Sequence, residues 1–144
     1  MFAGSSREDL RRRYLFAWRR RQQGLVLEPL DAAIADVIEL HPEYQSLLAA
    51  GEQDEHVLAA PFSVEEGHVN PFLHMGLHLG LREQLATGRP AGINAIHDRL
   101  CRKWGDRHEA EHRMIDVLAE TLWEAQRAGK APDENRYLET LSRL

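Results

Sequence analysis

Histidines carry the clearest chemical signal in this 144-residue sequence, because four of the eight form two regularly spaced pairs. His74 and His78 are four residues apart, and so are His108 and His112. Residues at this spacing lie on one face of an α-helix, which has about 3.6 residues per turn. Two imidazoles on one face can bind the same metal ion through nitrogen atoms at about 2.0–2.1 Å. The spacing therefore predicts a metal site.

Both histidine pairs are predicted to face the protein core. They share a helical face with apolar residues, namely Leu77, Leu81 and Leu85 for the first pair and Ile115, Leu118, Ala119 and Leu122 for the second. An imidazole in an apolar core needs a partner for each ring nitrogen, and each unmet group costs about 1–3 kcal/mol. One metal ion would satisfy four nitrogens at once. The alternative is that the four rings find separate hydrogen-bond partners in the core.

The helices that would position the pairs are predicted over residues 70–86 and 106–128. Asp106 is a typical N-cap, and Glu109 would complete a capping box with it. A helix over residues 92–104 joins the two through short turns, so the three should run up, down and up. Counted from their caps, the two pairs differ in height by about 3 Å. We therefore expect them to meet at one end of a helical bundle.

Carboxylates near the second pair could complete or tune such a site. Asp116 and Glu120 follow His112 at intervals of one helical turn, and Glu111 borders the same face. A cation held by neutral histidines leaves positive charge in an apolar place, so acidic outer-shell partners are expected. Asp116 or Glu120 could also bind the metal directly, and His41 is a further candidate ligand. The other histidines, His56, His68 and His97, show no such pattern and are predicted to be surface or loop residues.

An all-nitrogen ligand set suits zinc, iron, nickel or copper better than magnesium or calcium. We expect zinc, iron or nickel. Four protein ligands would form a closed structural site, whereas three ligands and a water molecule would form an open site that could activate the water or bind oxygen. The sequence leaves both alternatives open, and with them the question of whether the protein is an enzyme.

Two catalytic interpretations of the second pair are weaker. The segment from His108 to His112 matches the HExxH pattern of zinc metalloproteases, in which the glutamate is the general base. Charged residues flank this segment, no strand is apparent, and capping already explains Glu109. A di-iron centre needs Glu-x-x-His on two helices, and only Glu109 with His112 provides a copy. A metal-dependent hydrolase and an oxygen-binding or di-iron protein therefore remain minor alternatives.

The rest of the chain also predicts helices. Further helices are expected over residues 6–22, 29–40 and 42–50, with a last one opened by Pro132-Asp133 and a loop over residues 51–69. There is no β-hairpin signal and no long alternating strand. The expected fold is all-α, a single domain over residues 1–144 with about four long helices, shorter ones and no sheet.

Composition excludes several classes of protein. Hydrophobic residues make up 43% and charged residues 28%, as in globular domains. Cys101 is the only cysteine, which excludes an internal disulfide or a CxxC redox pair. No apolar run approaches the roughly 18 residues of a membrane span, and the N-terminus does not resemble a secretory signal. We therefore expect a cytoplasmic protein, and the net charge of −5 makes general nucleic-acid binding unlikely.

The first predicted helix provides a second hypothesis about function. Seven arginines lie between Arg7 and Arg21, against Glu8 and Asp9. This helix, or the 51–69 loop, could bind a protein or nucleic acid in a metal-free interaction module. The favoured interpretation is a surface helix that packs one apolar stripe against an acidic part of the protein.

Two glycines, Gly76 and Gly80, lie one turn apart in the predicted helix over residues 70–86. They indicate either a helix contact between copies of the chain in a homo-oligomer or, as we favour, close packing within the chain.

Several segments together resemble a known family. They are His41-Pro42-Glu43-Tyr44, Asn70-Pro71-Phe72-Leu73-His74 with His78 and Arg82-Glu83-Gln84, and His108–His112 followed by Glu120, Trp123, Ala125 and Gln126. They resemble the bacterial proteins grouped as domain of unknown function 1841, over nearly the whole chain. The resemblance implies a small bacterial cytosolic protein and no assigned activity. The histidines of both pairs match motif positions of that family.

Overall fold

The computed structural model describes residues 7–49 and 70–144, and within these ranges it contains seven α-helices and no strand. The helices are α1 (Arg7–Gln22), α2 (Pro29–Glu39), α3 (Pro42–Leu48), α4 (Pro71–Thr87), α5 (Ile93–Trp104), α6 (Arg107–Ala128) and α7 (Glu134–Ser142). The predicted all-α fold is confirmed. The predicted loop over residues 51–69, with His56 and His68, lies outside the described residues. In the described ranges no helix combines the length and apolar character that a membrane span requires.

The chain divides into two compact units, residues 1–75 and 76–144. In the first unit α1 packs against α2 through buried apolar side chains, including Leu15, Ala17 and Trp18 of α1 and Ile34, Val37 and Ile38 of α2. Arginines of α1 add ion pairs to this packing. Arg13 Nε lies 3.0 Å from Asp31, and Arg21 lies 2.7 Å from Asp36. The arginine-rich helix thus meets an acidic neighbour, which agrees with the interpretation favoured from the sequence.

The second unit is built from α5, α6, α7 and most of α4. Its core combines apolar residues from all four helices, namely Leu81, Ile93, Leu100, Ala110, Met114, Ile115, Val117, Leu118, Tyr137 and Leu141. Arg99 ties α5 to the end of α7 by donating to the carbonyls of Leu141 and Ser142, both at 3.2 Å. This unit places His78 of α4 and both histidines of α6 in one body.

Local signals explain where these helices begin and end. The Asp106 side chain accepts a hydrogen bond from the backbone N–H of His108 at 3.0 Å, which caps α6. Gly105 and Gly129 end α5 and α6 with φ values of 69° and 63°, a left-handed conformation that glycine adopts without strain. Glu109, the expected second half of the capping box, pairs with Arg113 at 3.0 Å.

Candidate metal centre

Helix α4 carries His74 and His78 on successive turns. The helix begins at Pro71, where the preceding Asn70 caps it. The Asn70 side chain accepts hydrogen bonds from the backbone N–H groups of Phe72 at 3.0 Å and Leu73 at 3.2 Å. His74 is half-buried and His78 is fully buried. His78 therefore lies in surroundings that contain little water, where an imidazole needs defined partners, whereas His74 is partly open to solvent.

In the first unit, His41 approaches His74. His41 is fully buried at the break between α2 and α3, where Pro42 begins the next helix. Its Nδ1 lies 2.8 Å from the carbonyl oxygen of Val37, and a carbonyl only accepts, so Nδ1 carries the proton. In the neutral ring the lone pair is then on Nε2. That atom lies 3.1 Å from Nε2 of His74.

The separation of these two nitrogens fits two arrangements. His74 can donate its Nε2 proton to His41 in an ordinary hydrogen bond. Alternatively, both atoms can bind one ion, because two ligands at about 2.0–2.1 Å from a tetrahedral metal are themselves about 3.3 Å apart. The bond from His41 to a backbone carbonyl is the kind of outer contact that fixes the orientation of a metal-binding imidazole.

In the second unit, three imidazoles lie side by side. The ring centroids of His108 and His112 are 4.0 Å apart on α6. The His78 ring lies 5.6 Å from that of His112 and 6.0 Å from that of His108. The three rings are therefore neighbours, and of these three residues His78 and His112 bring ligand nitrogens within 4.8 Å of each other. The second unit therefore brings one ring of the first predicted pair beside both rings of the second.

Each unit contains a histidine pair close enough to hold a metal ion. Ligand nitrogens lie within 4.8 Å of each other for His41 and His74 in the first unit, and for His78 and His112 in the second. Neutral imidazole nitrogens are suitable donors for first-row transition metals. The chain thus has histidine clusters that could bind such an ion.

Glu111 of α6 is the buried charge of the second unit. Its side chain is fully buried, and four nitrogen atoms surround its carboxylate. Oε1 lies 2.7 Å from Nε2 of His78 and 2.8 Å from Nε of Arg82. Oε2 lies 2.8 Å from Nε2 of His97 and 2.8 Å from Nε of Arg107. A carboxylate can accept about four hydrogen bonds, so this one is saturated.

These contacts keep Glu111 ionised. Burial alone would raise the pKa of the carboxyl group, because a charge loses hydration inside the protein. Hydrogen bonds from His78, Arg107 and His97, together with the charge of Arg82, outweigh that effect and hold the pKa of Glu111 far below its usual range. The carboxylate therefore acts only as an acceptor, and His78 must donate from Nε2.

A family model described as domain of unknown function (DUF1841) matches residues 6–143 of the chain. The chain belongs to this family. The resemblance found in the sequence motifs is thereby confirmed. No curated protein and no solved structure matches the chain.

Three carboxylates considered in the sequence analysis, Asp116, Glu120 and Glu109, are exposed to solvent in this DUF1841 chain. The side chains of Asp116 and Glu120 are exposed to solvent on α6. Glu109, the general base of the metalloprotease interpretation, is exposed and paired with Arg113. The prediction of a surface or loop position is wrong for His97, which lies in α5 with a side chain that is only 12% exposed. The ring turns inward, where its Nε2 N–H donates a hydrogen bond to Oε2 of Glu111.

The sequence patterns do not predict that four side chains surround the carboxylate of Glu111, namely His78, Arg82, His97 and Arg107. Helical spacing contains part of the signal, since His78 and Arg82 are four residues apart, as are Arg107 and Glu111. No spacing rule identifies His97, which comes from the intervening helix. Its contribution depends on how α5 packs against α6 in the DUF1841 fold.

Proposed function

We propose that this protein binds a transition-metal ion through histidines of α4 and α6. The candidate ligands are His74, His78, His108 and His112, with His41 as a further one. The observation that carries the proposal is the approach of His78 and His112 in the second unit, where the fully buried His78 brings a ligand nitrogen within 4.8 Å of one on His112. The His108 ring lies beside that of His112, with the ring centroids 4.0 Å apart. His74 is added by its position one helical turn before His78.

Burial and hydrogen bonding support this interpretation. His78 donates Nε2–H to an ionised carboxylate, so the lone pair of the neutral ring is on Nδ1. A histidine whose second nitrogen is bonded to a carboxylate is a frequent ligand arrangement in metal sites. The same reasoning applies to His41 in the first unit, where the Val37 carbonyl accepts from Nδ1 and the lone pair of the neutral ring is on Nε2.

The donor atoms favour a particular group of ions. Imidazole nitrogen suits zinc, iron, nickel and copper, whereas magnesium and calcium prefer oxygen. The exposed carboxylates of Asp116 and Glu120 add no strong preference for a hard cation, because solvent already hydrates them. Zinc, iron or nickel is therefore the expected ion. A cytoplasmic location, expected from the sequence, is part of the proposal.

Elemental analysis tests the proposal directly. Tag-free protein is purified without chelator, and its metal content is measured for the wild type, His78→Ala, His112→Ala and the control His97→Gln. We expect bound transition metal in the wild type and the control, and a clear loss of metal in both ligand variants. A wild type without metal, or ligand variants that retain full occupancy, would overturn the proposal.

Contacts of the α1 arginines in the first unit count against the alternative of a metal-free interaction module. Arg13 and Arg21 pair with acidic residues of α2, and Arg20 donates to the carbonyl of Val26 at 2.9 Å. These side chains already have partners within the unit, so less of the basic charge on α1 is available to bind phosphate groups. Metal-free protein whose melting temperature is unchanged by chelator would favour this alternative.

A further inference from the structure

Four donors surround the Glu111 carboxylate, and their chemistry restricts what the carboxylate can do. Arginine is a permanent hydrogen-bond donor in proteins, and Arg82 and Arg107 each donate from Nε. One arginine occupies Oε1 and the other occupies Oε2. The remaining acceptor position on each oxygen is taken by one histidine, His78 or His97. The orientation of the carboxylate is therefore fixed from both sides by permanent donors.

We propose that Glu111 is a positioning residue, which keeps the proton of His78 on Nε2 and thereby presents Nδ1 as the metal-binding nitrogen. The final step of this inference rests on the proposed metal-binding function. The first step does not, because it concerns only the hydrogen bond between His78 and Glu111.

Fixing the tautomer matters because the two imidazole nitrogens occupy different positions on the ring. A neutral histidine in water can carry its proton on either nitrogen. Because Glu111 holds His78 in one tautomer, the ring does not have to change tautomer when the ion binds. An ionised partner also makes the opposite nitrogen more basic, and loss of such outer contacts typically weakens metal affinity about 10–100-fold.

A purely structural ion-pair hub is the competing explanation for Glu111. In that case the carboxylate would serve only to join α4, α5 and α6, and its contact with His78 would have no special consequence. His97 distinguishes the two explanations, because it donates to the same carboxylate at Oε2 and shares the burial of the cluster. Replacing His97 removes a buried hydrogen bond but leaves the contact between Glu111 and His78 intact.

The first experiment reads the tautomer of His78 directly. Protein labelled with ¹⁵N is stripped of metal, and two-bond ¹H–¹⁵N correlations of the imidazole rings are recorded near pH 8, with His78→Gln used to assign the signals. We expect His78 to show a protonated Nε2 and an unprotonated Nδ1. A ring that is protonated on Nδ1, or that exchanges between both tautomers, overturns the proposal. This measurement needs no substitution at Glu111.

The second experiment measures Zn²⁺ affinity by competition with a chelating dye. We expect Glu111→Gln to bind Zn²⁺ about 10–100-fold more weakly than the wild type, while His97→Gln, the matched control, keeps wild-type affinity. Equal affinity of Glu111→Gln and wild type, or an equal loss in His97→Gln, overturns the positioning role. If the wild type binds no Zn²⁺ or other transition metal, the proposed function fails, and the tautomer spectrum alone then decides the role of Glu111.

Discussion

Tyr137 and Tyr14 are buried side chains whose hydroxyl groups resist ionisation. Burial raises the pKa of each from 10.0 to about 12, and for Tyr137 the hydrogen bond to Gln84 opposes that effect only in part. Because the folded pKa lies above the unfolded one, the neutral phenol stabilises the fold fully below pH 10. This contribution is lost as the pH rises from 10 towards 12.

Replacing Tyr137 by phenylalanine should flatten the alkaline loss of stability. The variant should lose about 0.5–1.5 kcal/mol at neutral pH, since the hydrogen bond to Gln84 disappears. Between pH 10 and 12, its free energy of unfolding should fall less steeply than that of the wild type. Urea unfolding at pH 8 and pH 11 measures both effects. If the variant and the wild type lose the same free energy of unfolding between pH 8 and pH 11, the prediction is wrong.

At the scale of the helix, α4 contains a position at which a substitution should increase the stability of the protein. Gly80 lies inside this helix, and a Cβ added there would meet no described atom within 4 Å. The close packing favoured from the sequence is therefore not found at Gly80. Glycine costs a helix interior about 0.5–1 kcal/mol relative to alanine, because it loses more backbone freedom on folding.

We therefore expect Gly80→Ala to increase the free energy of unfolding by about 0.5–1 kcal/mol. Gly129→Ala is a matched control of opposite sign, since its φ of 63° strains an alanine. Chemical denaturation of both variants provides the comparison. Destabilisation by Gly80→Ala, accompanied by a change in mass measured by light scattering, would instead point to a contact between copies of the chain.

The helices show why part of this protein could be predicted and part could not. Asp106, Gly105 and Gly129 act through local backbone geometry, so their signals lie in the sequence beside the boundaries they set. The histidine pairs were detectable for the same reason, because helical spacing is local. The burial of Glu111 could not be predicted in this way. The donors to its carboxylate come from three helices, so these hydrogen bonds depend on how the helices pack. Exposure of Asp116 likewise depends on which side of α6 the core covers.

At the scale of the whole molecule, metal binding should change the stability of the fold. An ion that binds the folded chain but not the unfolded chain stabilises the fold by about 2.7 kcal/mol when its free concentration is 100 times its Kd. We expect Zn²⁺ to raise the melting temperature of metal-free protein and a chelator to reverse the increase. Calorimetry checks this, with His112→Ala as the variant that should respond less. Equal responses of the two proteins would place the ion elsewhere.

The saturated carboxylate of Glu111 also has an evolutionary consequence. Each of its acceptor positions is filled from a different side chain, so no single donor can be lost without leaving a buried lone pair unmet. Single substitutions at these positions should be selected against, whereas paired replacements that restore the hydrogen-bond count should be tolerated. Relatives of this chain are therefore expected to exchange these residues together, as a correlated set.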